Sequence, residues 1–183
     1  MRTIRFSAAL FAIAGLALSA PVGAGAATHP PRVSLTAGSL HLPGSLWSYI
    51  WLSPRAPNSC SGEGFDGIAR YAARPPSAGD ATVARIALHS GREPSQVTID
   101  AHRRLNRAGR PAGPVEHLQV SLSPYAHDGR RTAWVASVAL HQGRRYYLDL
   151  FARYSYQGKC GDEGGDMSVA FSLRTTAGHS RTG

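Results

Sequence analysis

The sequence predicts an all-β chain: an antiparallel β-sandwich, with the jelly roll as one form it could take, closed by one intramolecular disulfide. Three observations predict it. Apolar side chains recur with a period of two in roughly eight or nine short segments. Proline, glycine and aspartate turn signals such as Pro43-Gly44, Pro75-Pro76, Asp128-Gly129 and Gln142-Gly143 separate those segments at intervals typical of sandwiches. No segment carries a firm helical period, and a run of short strands without helices packs as sheet on sheet.

Taken in order, the chain opens with Arg2 and Arg5 ahead of an apolar run over 6–20, then Pro21 and the small residues Ala24, Gly25, Ala26 and Ala27. This is the pattern of a secretory signal peptide with cleavage near residue 26 or 27, and the run is too short for a membrane span. The expected product is a single domain over 28–183, secreted or periplasmic, with a short flexible tail from about 176. Strands are expected over 33–40, 46–52, 65–73 and 82–89. Residues 94–108 carry two patterns. Val97, Ala101, Leu105 and Ala108 share a helical face, while Val97, Ile99 and Ala101 alternate within a β-branched run that favours a strand leading into an arginine-rich loop. Later strands follow over 115–122, over 132–140 with Trp134, Ala136, Val138 and Leu140 on one face, and over 145–156 with Tyr146, Leu148, Leu150, Ala152 and Tyr154 on one face. The last covers 166–175, where Met167, Val169, Phe171 and Leu173 oppose Ser168, Ala170, Ser172 and Arg174.

The two cysteines, Cys60 and Cys160, each sit in a glycine-rich acidic loop as the sequence reads. Two cysteines in an exported chain, without metal-ligand spacing around them, point to a bridge between them. Closing a loop of about 100 residues stabilises by about 4 to 5 kcal/mol in the chain-entropy description. The bridge would gather Glu63, Asp66, Asp162, Glu163 and Asp166. Such carboxylates can hold Ca²⁺ with help from glycine carbonyls, pair with arginine, or stay solvated; their order is not that of an EF-hand loop, and no other cofactor is indicated.

Trp47, Tyr49 and Trp51 alternate and so project from one strand face. Exposed, they would form a stacking platform for sugar rings; turned inward, they would be core. The opposite face, Ser48, Ile50 and Leu52, is itself largely apolar and does not decide between these. The chain has 20 lysine and arginine against 11 acidic residues. With Arg2 and Arg5 gone with the leader, a formal charge of about +7 remains, nearly all arginine, which suits a solvated basic surface or attraction to anionic envelope material. No like-charge run exceeds two residues and no nucleic-acid motif appears, so specific nucleic-acid recognition is not expected. The eight histidines are scattered without H-E-x-x-H spacing, and there is no G-x-S-x-G, so no catalytic residue is indicated.

One resemblance is carried by the last third. Residues 138–150, with Leu140, Gly143 and Tyr146 leading into the apolar strand at Leu148 and Leu150, and residues 165–173, opening on Gly165-Asp166, resemble the closing strands of secreted bacterial accessory sandwiches. Pre-peptidase C-terminal domains and PA14-type sugar-binding modules end in this way. The resemblance covers about a fifth of the chain and implies an exported binding sandwich.

These readings converge on a non-enzymatic binding module with a glycan or anionic envelope polysaccharide as the leading ligand. A secreted protein-interaction or structural protein, inhibitor-like or adhesin-like, is the first alternative; a hydrolase with a dispersed active site is the second. The bridge makes a direct expectation: alkylation of the secreted protein without reductant adds no mass to Cys60 or Cys160, whereas two modified thiols would show the cysteines to be unpaired.

Overall fold

The computed structural model describes residues 29–56, 59–127, 129–155 and 164–178. The expected leader, Cys160, Asp162 and Glu163 lie outside the described residues, so the bridge and two of the five clustered carboxylates remain expectations. Among the described residues there is no helix, and hence none long and apolar enough to cross a membrane.

The strands are β1 (Val33–Ala37), β2 (Leu40–Pro43), β3 (Ser45–Ala56), β4 (Ser59–Asp66), β5 (Val83–Leu88), β6 (Gln96–His102), β7 (Arg104–Leu105), β8 (Pro111–Ala112), β9 (Glu116–Leu118), β10 (Ser121–His127), β11 (Arg130–Ala139), β12 (Arg145–Tyr154) and β13 (Gly164–Arg174). They form a five-stranded sheet in the order β10-β11-β5-β1-β2, a six-stranded sheet in the order β4-β3-β13-β12-β6-β9, and the small β7-β8 ribbon. Every pairing within the sheets is antiparallel. The two large sheets pack face to face. Leu35, Ile86, Leu88 and Val138 from one meet Ile99, Leu148, Leu150, Met167, Val169 and Leu173 from the other.

The six-stranded sheet is also covered on its outside. Residues 67–78 leave β4 and cross its outer face before entering β5. There the Ala72 amide donates to Ser172 Oγ at 2.9 Å, and Tyr71 meets Tyr147 edge-on at 5.7 Å. The Arg174 amide donates to the Pro76 carbonyl at 2.9 Å. Tyr147, Ala170 and Ser172 are therefore buried although they point away from the core.

This strap corrects the strand expected over 65–73. Only Phe65 and Asp66 belong to a strand, the end of β4: after one more backbone bond, from the Gly67 amide to the Trp47 carbonyl, the chain leaves β3 and the Ala72 amide bonds a side chain of β13. The glycine-rich segment around Cys60 is edge strand β4, paired with β3, and not an open loop. The segment 33–40 is a hairpin turning at Gly38, where φ is +58°. The segment 115–122 divides because β9 belongs to one sheet and β10 to the other. Residues 96–102 form strand β6, where β-branched propensity prevails over the helical spacing.

The connection from β11 to β12 has a physical lock. Leu140 is buried, Gly143 turns the chain at φ +68°, and Tyr146 is fully buried. The Tyr146 hydroxyl accepts from the His141 amide and donates to its carbonyl, in the manner of a tyrosine corner. Thr175 Oγ1 also donates to the His141 carbonyl, at 2.7 Å, and Arg103 covers the Tyr146 ring at 4.1 Å. At the other end of β12, Gly165 lies between Trp51 and Tyr154 in register, and a Cβ there would sit 1.9 Å from the Ile50 carbonyl oxygen.

Tyr146→Phe orphans the His141 amide and is expected to lower unfolding free energy by about 1 to 3 kcal/mol in denaturant titration. An unchanged midpoint would show that the lock carries no stability.

Candidate functional site

The outer face of the five-stranded sheet is open, and its side chains follow from strand alternation. On central strand β5, Ala84, Ile86 and Leu88 go inward, which leaves Arg85 and Ala87 outward. Register sets Arg85 between Thr36 of β1 and Ser137 of β11, with Ser121 of β10 beyond. The next row is Ser34, Ala87, Val135 and Ser123. Because these side chains are short, the face is dished: a trough of about 530 Å³ whose lining includes Arg85, Thr36, Ser137, Ser123, His89 and Tyr125. At one end Tyr125 is 54 % exposed, beside a bulge in the β10-β11 ladder that re-aims the chain there.

The trough's electrostatics are one-sided. Its lining has no aspartate or glutamate, and Arg85 has no carboxylate partner among the described residues. Ser34 Oγ hydrogen-bonds His89 Nε2 at 2.9 Å and Thr36 Oγ1 hydrogen-bonds His41 Nδ1 at 3.0 Å. Each hydroxyl is thereby oriented and still has hydrogen-bonding capacity to spare. Such a surface can offer a guanidinium fork to an anion, hydroxyls to a polyol and one flat ring to an apolar sugar face.

A second polar group lies on the outer face of the six-stranded sheet, half under the strap. Asp149 stands directly opposite Asp100, and Asp100 opposite His117, across β12, β6 and β9. His117 Nδ1 is 2.6 Å from Asp100 Oδ1, and His102 Nε2 is 3.4 Å from Asp149 Oδ2. Tyr71 faces Asp149 without closing a hydrogen bond of ordinary geometry. Its hydroxyl, Asp149 Oδ1 and His102 Nδ1 are buried with no partner among the described residues. Burial, reinforced by the Asp100 charge, pushes the Asp149 carboxyl above the usual carboxylate range, although Tyr71 and His102 act the other way. Burial and the neighbouring Asp149 likewise push the Tyr71 phenol above its ordinary value.

The residues singled out from sequence take other positions. Trp51 is 4 % exposed and meets Tyr154 edge-on at 5.5 Å; Tyr49 packs against the core, and Trp47 is partly buried. Trp51 and Tyr49 therefore turn inward, while a register shift beside Trp47 sets Leu46 opposite the inward Val169 and leaves Trp47 outside the packed core; on the other face Ile50 is 65 % exposed. Of the carboxylates, Asp166 receives both Nε and Nη2 of Arg153, at 2.8 and 2.9 Å, Glu63 pairs with His29 at 2.9 Å, and Asp66 is exposed. Glu63 projects from the face opposite to Asp66 and Asp166, since Asp66 and Asp166 align with Ser48 and Ile50 while Glu63 aligns with Trp51. Among the described residues no three His, Cys, Asp or Glu side chains converge as a metal site.

Sequence reasoning missed the trough. The signal was the polar phase of strands identified by their apolar phase: Arg85 and Ala87 between inward residues, and Ser137 between Ala136 and Val138. No protein-family model, curated protein or solved structure matches the chain.

Two expectations follow. The folded chain holds a proton on Asp149 more tightly than the unfolded chain. Stability therefore falls as pH rises from the ordinary carboxylate value through the raised one. Asp149→Asn should melt above the parent at pH 8, with the gap shrinking below pH 4; a lower melting point at pH 8 would mean that ionised Asp149 is stabilised by its neighbours. Trp51→Ala should cost about 3 to 5 kcal/mol as a core deletion, and a loss below about 1 kcal/mol would return that ring to the surface.

Proposed function

We propose that this chain is an exported, non-enzymatic binding module that recognises an anionic glycan on the outer face of its five-stranded sheet. The observation that carries the reading is the acid-free, hydroxyl-lined trough centred on unpaired Arg85 with Tyr125 exposed at its end. Arg85 is the contact for a uronate, sulfate or phosphate group, in the bidentate manner a guanidinium favours. Ser137, Ser123 and the histidine-oriented Ser34 and Thr36 are the contacts for sugar hydroxyls. Tyr125 takes over the stacking role expected of the β3 aromatics. The basic charge of the chain adds long-range attraction to a polyanion, which salt screens. The leader-like start and the resemblance to accessory sandwiches agree with a secreted or periplasmic place of action.

The hydrolase alternative has one observation behind it, the Asp149, His102 and Tyr71 group. That group lies half beneath the strap, and Ser172 on the same face accepts from the strap's Ala72 amide. The binding reading uses an open surface and needs no rearrangement.

Titration with a uronic-acid oligosaccharide in isothermal calorimetry tests the proposal. Arg85→Ala should weaken binding by about 1.5 to 3 kcal/mol, the range for a hydrogen bond to a charged group. Tyr125→Ala should also weaken it, and neither variant should shift the melting point materially. Equal affinity for parent and both variants would remove the trough as the binding face.

A further inference from the structure

A second cavity adjoins the trough and differs from it in chemistry. At the seam between the sheets, the start of β1, the Pro43-Gly44 crossover, Leu46 of β3 and Met167 and Val169 of β13 enclose a cleft of about 660 Å³. Met167 and Val169 are almost completely buried and form its floor, so the cleft reaches the core. Pro30, Pro31, Pro43 and Leu46 line it towards solvent, and its charged or titratable lining consists of Arg32 and His89, with no acidic residue. His89 lines the trough as well, so the two cavities meet at that residue.

We propose that the seam cleft takes the alkyl chain of an anionic glycolipid whose sugar lies in the trough. The inference rests on the glycan reading and extends it to the ligand class. A plain polysaccharide would leave an apolar cleft beside its site unused, and a simple aliphatic ligand would leave Arg85 and the hydroxyl rows unused. A ligand with an anionic sugar joined to a hydrocarbon chain fills both. Arg32 lines the cleft, Arg85 the trough and His89 both, without an opposing carboxylate in either lining. The cleft's volume lies within the range of about 300 to 1,000 Å³ usual for small-molecule sites, and its apolar lining suits an alkyl chain.

The probes are a triuronate oligosaccharide and its dodecyl glycoside, each titrated below the micelle-forming concentration. Burial of each methylene is worth roughly fourfold in affinity, so the dodecyl glycoside should bind at least about a hundredfold more tightly than the bare sugar. Leu46→Asp should abolish that gain without altering affinity for the bare triuronate; Pro31→Asp, outside any strand, serves the same purpose should the first variant melt early. Arg85→Ala should weaken both probes by the same factor. Equal affinity for the two probes would overturn the alkyl site and leave the glycan reading intact. Tight dodecyl binding that Arg85→Ala leaves unchanged would overturn the glycan reading and, with it, the glycolipid. Saturable binding of neither probe would overturn both.

Discussion

β12 and β13 pair over ten consecutive positions, and the inward side chains from Tyr146 to Tyr154 and from Met167 to Leu173 are all buried. This is the constraint on which the rest depends, because a strand pair buried so completely fixes register. A slip by one residue would turn Leu148, Leu150, Val169 and Phe171 to the outside. With that pair in place, β3 must present Trp51 and Tyr49 to the core, and Gly165 must lack a side chain where Trp51 and Tyr154 meet. The corner formed by Tyr146, His141 and Thr175 anchors one end of the pair.

Burial is unequal on the outer faces. The strap over 67–78 covers β12 and β13 on the outside and shelters Asp149, Tyr147 and Ser172. Among the described residues the five-stranded sheet has no such cover, and its outward face mixes short and polar residues with Val83, Val135 and Tyr125. What remains around Arg85 is a shallow surface mostly of serine, threonine and alanine, with Val135 within it and Tyr125 at one end. The trough is thus the complement of the core: the same alternation that buries Ile86 exposes Arg85.

Much of this was legible in the residues. Alternation located β5, β6, β11, β12 and β13, and the turn signals at Gly129 and Gly143 coincide with positive φ, whereas Gly38 turns a hairpin inside the single strand expected over 33–40. The strap and β4 were less legible. Phe65 to Ala73 alternates only loosely, and its structure depends on a contact with Ser172, a hundred residues away. The aromatic run Trp47, Tyr49 and Trp51 showed a shared face but not which side was wet, since Ile50 and Leu52 are apolar too. The site was illegible for a geometric reason. A sheet-face site takes one or two residues from each of several strands, so Thr36, Arg85, Tyr125 and Ser137 share no motif and become neighbours only through register.

The central claim is that ligand recognition belongs to the bare face of the five-stranded sheet. Amide chemical-shift mapping of the uniformly labelled chain during titration with an anionic oligosaccharide tests it most directly. The account predicts saturable shifts concentrated in β1, β5, β10 and β11 around Thr36, Arg85, Tyr125 and Ser137, with the strap and β12 unaffected. Shifts centred on Tyr71, His102 and Asp149, or confined to β3 and β4, would contradict it.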